Sequence, residues 1–216
     1  MIYTNYIMRL FSLDENKDKC ERIVLILDSS GSMNSQKRDV VAGINETIRQ
    51  QRKLNQEDNS KVLFNIVSFN DNVLSPTNDT LESIRYLSDR DYNPTGSTAL
   101  YDAIGLTINR YRDERNVIFL IMTDGEENAS RKYNYEMITG LIKEMKDYKN
   151  WNFIYLSEDI KTFKQAESIG VSNYAYNCNN VLTEKNKLGQ TLSTMGCQKA
   201  IYDMRLGKKK VKIGIL

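Results

Sequence analysis

Ile23-Val24-Leu25-Ile26-Leu27-Asp28-Ser29-Ser30-Gly31-Ser32-Met33 is the stretch whose reading decides the fold. Five consecutive apolar residues, β-branched or leucine, make a strand buried on both faces of a sheet. The run stops at a carboxylate, which two spaced hydroxyls and a glycine follow. Asp28, Ser30 and Ser32 therefore stand at the carboxyl end of a central strand, where open α/β sheets bind their ligands. Oxygen side chains at alternating positions, with Gly31 permitting a tight turn, are donors suited to a hard cation. Asp28 is expected to face solvent there.

Outward from this strand the pattern alternates. Val40, Val41, Ile44 and Ile48 recur at helical spacing and predict a helix over about 35–51, broken by the polar stretch 55–60. Val62 to Phe69 forms a second strand. Asn70-Asp71-Asn72 then turns the chain into a short antiparallel edge at Val73-Leu74, which Pro76 stops. A short helix is expected over 80–87, then a loop over 89–97. Ala99, Leu100, Ala103, Ile104, Thr107 and Ile108 mark the next helix. Val117 to Met122 is a second continuous apolar run, and it too leads into a carboxylate, Asp124. It should lie beside the first. Met137, Ile138, Leu141, Ile142 and Met145 supply a further helix, and Trp151 to Leu156 a further strand. A helix over about 161–168 ends at Gly170, suited to a C-cap. Tyr174-Ala175-Tyr176 reads as a last strand, and Leu188, Leu192 and Met195 as a last helix. The expected architecture is three-layer, doubly wound α/β: a mostly parallel sheet, one short antiparallel edge strand, and helices on both faces.

Composition bounds the function. The 216 residues suit one such domain, here placed at 21–203, with an N-terminal extension over 1–20 and a basic tail over 204–216. A net charge of +2 gives no global field favouring nucleic acid or a membrane surface. The N-terminus lacks a basic region followed by an apolar core, so no signal peptide is expected, and no stretch reaches membrane-span length. Cys20, Cys178 and Cys197 show no metal-motif spacing, and three is an odd number; reduced thiols in a cytoplasmic protein are the expectation. The sequons at Asn45, Asn78 and Asn128 are then idle. The sequence contains no histidine, which removes Ser-His-Asp and Cys-His catalysis and every His-ligated zinc site.

Three segments meet at one edge of a doubly wound sheet: Asp28 to Ser32, Thr95-Gly96-Ser97-Thr98-Ala99-Leu100-Tyr101-Asp102, and Met122-Thr123-Asp124-Gly125-Glu126. Together they resemble the metal-ion-dependent adhesion site of the von Willebrand factor type A family. In that family the first loop supplies Asp-x-Ser-x-Ser, the second a Thr just before Ala-Leu-Tyr-Asp, and the third an Asp within Thr-Asp-Gly. The resemblance runs from about Arg22 to Gly170. It also resembles a compact intracellular subset from bacteria and phages, in which Thr-Asp-Gly-x-Glu-Asn-x-Ser precedes an aromatic-rich helix and a Trp-containing strand. It implies Asp28, Ser30, Ser32, Thr98 and Asp124 as ligands of Mg2+, with Mn2+ as the alternative ion. It also implies a partner protein that docks an acidic side chain on the ion, with no catalysis.

The chemistry is coherent. Mg2+ wants about six oxygens and gives up water reluctantly. Neutral hydroxyls from Ser30, Ser32 and Thr98 would leave the ion electrophilic, while Asp28 and Asp124 act through water. Taken singly, each segment also reads as a helix N-cap. Glu126 and Glu127 read as solvated rim residues or as selectors of partners. Two other functions remain open. One is a haloacid-dehalogenase-like phosphatase with Asp28 as nucleophile, although position 30 is serine where those enzymes carry a second acid. The other is a scaffold with a vestigial metal site.

Overall fold

In the computed structural model the described residues are 22–58, 61–77, 79–158, 160–171, 178–183, 185 and 187–207. The opening apolar run forms β1, Arg22–Asp28, with all seven residues buried. It pairs in parallel with β2 (Leu63–Phe69) on one side and β4 (Val117–Met122) on the other, so that Leu25 lies opposite both Ile66 and Leu120. Two further parallel strands, β5 (Asn152–Ser157) and β6 (Cys178–Leu182), extend the β4 side. A two-residue antiparallel strand, β3 (Asp79–Thr80), closes the β2 edge. The six-stranded order is β3-β2-β1-β4-β5-β6.

Side chains alternate across a strand, and the alternation in β1 assigns the two layers. Ile23, Leu25 and Leu27 pack with Val40, Ile44 and Ile48 of α1 (Lys37–Asp58), and with Leu188 of α5 (Leu188–Leu192) and Ile201 of α6 (Met195–Arg205). Val24 and Ile26 join the opposite core. That core holds Ile104 and Ile108 of α2 (Leu100–Tyr111), Ile138 and Ile142 of α3 (Tyr135–Lys149), and Ala166 of α4 (Ile160–Ser168). Because the sheet grows from β1 toward β2 and then restarts at β4, the topological switch lies between β1 and β4. Their carboxyl ends are the place for a ligand. Gly43 of α1 lets α5 approach closely: a Cβ there would stand 2.2 Å from the Gly189 carbonyl oxygen.

Several expectations need correction. The polar stretch after residue 54 does not end α1, which follows a 3-10 segment, Gly31–Gln36, and continues to Asp58. Asn55 is buried there and accepts from Arg205 Nη2 at 2.8 Å, while Gln51 binds Gln198 at 2.8 Å. Polar residues thus remain helical because polar partners on α6 meet them. The antiparallel edge is Asp79–Thr80 rather than Val73-Leu74. Val73 makes only an isolated bridge to Phe69, and Leu74 and Thr77 donate to Ser68 and Ile66 across Pro76, which has no N–H to give. The helix expected over 80–87 is a turn. Thr80 and Ser83 bind each other through side chain and backbone, and the Arg52 guanidinium takes the carbonyls of Leu81 and Ile84 that a helix would need. The strand expected at 174–176, the N-terminal extension, Cys20 and residues 208–216 of the tail expected over 204–216 lie outside the described residues, whereas Met204 and Arg205 of that tail are buried in α6. The single helix expected after residue 188 is two, and the Thr194 hydroxyl caps the second by accepting from Cys197 N.

Candidate metal centre

Asp28 ends β1 fully buried, not facing solvent. Its Oδ1 accepts from Ser30 N at 2.7 Å and its Oδ2 from the Thr123 hydroxyl at 2.5 Å. Burial pushes its carboxyl up to about 6; the bonds from Thr123 and Ser30 oppose the shift, and the Asp124 charge adds to it. The backbone around Asp28 is pinned as well. Tyr92, buried on the adjoining loop, donates its hydroxyl to the Asp28 carbonyl at 2.5 Å, and Ser29 N donates to Phe69 O at 2.7 Å.

The chain then enters the 3-10 segment, which turns Ser30 and Ser32 to the same side. Their hydroxyl oxygens lie 3.1 Å apart, and Ser32 Oγ donates to Asp124 Oδ1 at 2.6 Å. Asp124 follows β4, and its other oxygen accepts from Gln36 Nε2 at 3.3 Å. Burial also raises its carboxyl above the usual range.

The middle loop is tied to both neighbours. Gly31 N donates to Gly96 O at 3.0 Å, and Thr95 N to Ser29 O at 2.7 Å. Gly96 has φ +78°, and a Cβ there would lie 2.0 Å from Asp71 Oδ2, so only glycine fits. Thr98 is buried. Its N donates to Asn128 Oδ1 at 2.9 Å, and its carbonyl accepts from Asn128 N at 3.0 Å and Ala129 N at 3.2 Å.

Gly125 shows how closely Thr98, Asp28 and Ser32 gather. A Cβ built on it would lie 3.0 Å from Thr98 Oγ1 and 3.8 Å from both Asp28 Oδ2 and Ser32 Oγ. Oxygens from the first two loops thus line one small space that Gly125 of the third leaves open, and Asp124 Oδ1 joins them through its bond from Ser32 Oγ.

The solved structures with the same fold are distant in sequence. The VWA domain of SpRpn10 superposes with a TM-score of 0.53 at 14% identity, covering 82% of this chain and 97% of that one. The fold is that of a von Willebrand factor A domain. The PilB minor pilin of Streptococcus sanguinis matches with a TM-score of 0.59 at 12% identity, over 88% of this chain and 62% of that chain. Proximal thread matrix protein 1 from the mussel byssus matches at 0.53 and 16% identity, over 88% and 48%. The chain therefore spans only part of those two longer proteins. No family model and no curated protein matches the sequence.

On this von Willebrand A fold the donor set suits a hard divalent cation. Two carboxylates offset part of the field of a 2+ ion from one side, and three hydroxyls add neutral oxygens. Among the described residues no group of three or more Asp, Glu, Cys or His gathers that could hold a metal ion. All four carboxylate oxygens of Asp28 and Asp124 already accept a hydrogen bond, which fits carboxylates that act through water.

The two glutamates after Gly125 differ. Glu126 is exposed and pairs with Lys161 at 3.2 Å. Glu127 is no rim residue. It accepts from Tyr101 N at 2.8 Å, Ala129 N at 2.9 Å, Ser130 N at 2.7 Å and Ser130 Oγ at 2.6 Å, and so binds the third loop to the start of α2. Asp102 does similar work by accepting from the backbone N–H groups of Arg131, Lys132 and Tyr133. The sequence reading missed Thr123, Gln36 and Tyr92 as partners of the two site carboxyl residues. Thr123 could have been found, since a hydroxyl preceding Asp124 at a strand end faces the neighbouring strand's terminus. Gln36 and Tyr92 carried no signal in their spacing.

Proposed function

We propose that this chain is a cation-dependent protein-interaction module and not an enzyme. In this reading Asp28, Ser30, Ser32, Thr98 and Asp124 hold Mg2+, or Mn2+ in its place, in the space beside Gly125. The observation that carries the reading is the convergence of three hydroxyls and two carboxylates, drawn from three loops, on the switch point of the sheet. The bound ion would supply an electrophilic position for an acidic side chain of a partner protein.

The chain's own residues explain why a partner would be needed. Ser30, Ser32 and Thr98 are uncharged donors. Asp28 and Asp124 are held back by Thr123, Ser30 N, Ser32 and Gln36. The local charge of the ion is thus neutralised from one side only, and a carboxylate arriving from outside completes it. No helix among the described residues is long and apolar enough to cross a membrane. A cytoplasmic placement, with neither nucleic acid nor a membrane as partner, belongs to the proposal and rests on the cysteine usage and the near-balanced charge.

The test has two arms. Thermal melts of the full chain in MgCl2 should shift upward and return to the metal-free value in EDTA. Affinity capture from the native host should retain a set of proteins with Mg2+ that EDTA releases. Unchanged melts, or hydrolysis of a phosphate ester that depends on Asp28, would refute the reading.

A further inference from the structure

We propose that Gln36 is a positioning residue of the cation site: it fixes Asp124 for a water-mediated approach and offers its buried carbonyl oxygen to a water of the hydrated ion. This inference rests on the cation reading above. Gln36 closes the 3-10 segment that follows β1 and is only 2% exposed. Its Nε2 donates to Asp124 Oδ2 at 3.3 Å, with Met33 Sδ at 3.5 Å as a softer neighbour. Its Oε1 is buried and has no hydrogen-bond partner among the described residues.

A buried amide oxygen without a donor is rare in a native fold, because it has given up water for nothing. Turning the amide over would not help, since it would set the carbonyl against the Asp124 carboxylate, acceptor to acceptor. Asp124 keeps the amide in the orientation seen, and the orphaned oxygen follows from that. Among the described residues nothing supplies the donor it lacks, and a water can. Waters on Mg2+ are strong donors, and Mg2+ keeps several of them when bound. Asp124 and Gln36 together would then present two adjacent acceptors to that hydration shell. Ca2+ sheds water more readily and takes carboxylates directly, so it has less use for Gln36.

A rival source is water in the adjoining groove of about 570 Å3, lined by residues 34–39 and Asp89. Titration of the full chain with MgCl2 and with CaCl2, read by calorimetry and by thermal melts, separates the two. Gln36→Met keeps length and volume but removes both polar atoms. It should weaken Mg2+ binding about tenfold, as losses of outer-shell partners do, and Ca2+ binding by clearly less. Its metal-free melt should stay near wild type, because removing the orphaned acceptor offsets the lost bond to Asp124. Gln36→Glu keeps an acceptor but sets a second carboxylate beside Asp124. It should lower the metal-free melt and move the preference toward Ca2+.

Wild-type Mg2+ affinity in Gln36→Met would show that groove water satisfies the oxygen, and the proposal fails. Equal loss for both ions with a lowered metal-free melt would mark a merely structural glutamine, and it fails again. If wild type itself responds to neither ion, the cation reading falls and takes this inference with it.

Discussion

Gly125→Ala tests the cation space with a single methyl group. The new Cβ would stand 3.0 Å from Thr98 Oγ1 and 3.8 Å from Asp28 Oδ2 and Ser32 Oγ. An Mg2+ ion sits about 2.1 Å from the oxygens it binds directly and keeps waters around it, so a carbon this close to the Thr98 and Ser32 hydroxyls and to Asp28 should crowd the ion and the waters that link it to Asp28. The metal-free fold should tolerate the change. Gly125 is not among the glycines with positive φ, so alanine meets no backbone strain. The tight contact to Thr98 asks for a shift of a few tenths of an ångström, and the lost freedom of the unfolded chain returns about 0.4–1 kcal/mol. The metal-free melting temperature should therefore stay within about 2–3 °C of wild type at about 2–4 °C per kcal/mol. With Mg2+ at a hundred times its Kd, wild type gains about 2.7 kcal/mol, or about 5–10 °C in Tm. In Gly125→Ala that gain should fall below about 1 °C. Differential scanning calorimetry with and without MgCl2 reads both numbers. A variant that keeps the full Mg2+ shift would show that the ion does not occupy the space among these oxygens.

Three further outcomes follow from the same geometry. Asp28→Asn can keep its oxygen for Ser30 N and turn its NH2 to the Thr123 hydroxyl, which can accept, and it removes a charge that burial already disfavours, so the metal-free melt should hold or rise while the Mg2+ shift and partner capture disappear. Thr98→Ala should weaken Mg2+ binding by about tenfold rather than abolish it, because a water can take the vacated position; calorimetric titration measures the difference. Denatured, non-reduced protein should return three free thiols, while native Cys197, its thiol pushed up to about 12 by burial, should resist alkylation at pH 8. Rapid native labelling of Cys197, read by peptide mass mapping, would contradict its place in the core.

The central strands were legible because their signal is local. Ile23 to Leu27 and Val117 to Met122 are continuous apolar runs, and each hands over to a carboxylate at the same end of adjacent parallel strands. The misreadings arose where a distant residue decides the local structure. Asn55 and Gln51 look like helix-ending polarity until Arg205 and Gln198 are brought to them from about 150 positions downstream. The turn after Thr80 has apolar spacing fit for a helix, yet the Arg52 side chain takes its carbonyls. At the site, spacing alone pointed to Asp28, Ser30 and Ser32, and the family pattern to Thr98 and Asp124. What could not be read was which oxygens would remain uncommitted, and that depends on Thr123, Gln36 and Tyr92.

Those committed oxygens also bear on the phosphatase alternative. A carboxylate that attacks phosphorus must present an oxygen with a free lone pair along the line of attack and be readily ionised. Asp28 Oδ1 already accepts from Ser30 N and Oδ2 from Thr123, and the residue is fully buried, so neither oxygen is presented to solvent for an in-line attack. Position 30, where a second acid would protonate the leaving group, offers a serine hydroxyl that points into the Ser32–Asp124 chain of hydrogen bonds. The same commitments serve a docking site well. Fixed carboxylates aligned by neutral donors can orient a hydrated ion without moving, so little reorganisation is needed when a partner's carboxylate arrives. Under the proposed reading, an arrangement that holds its own carboxylates back from the ion would leave a charge for a partner's carboxylate to meet.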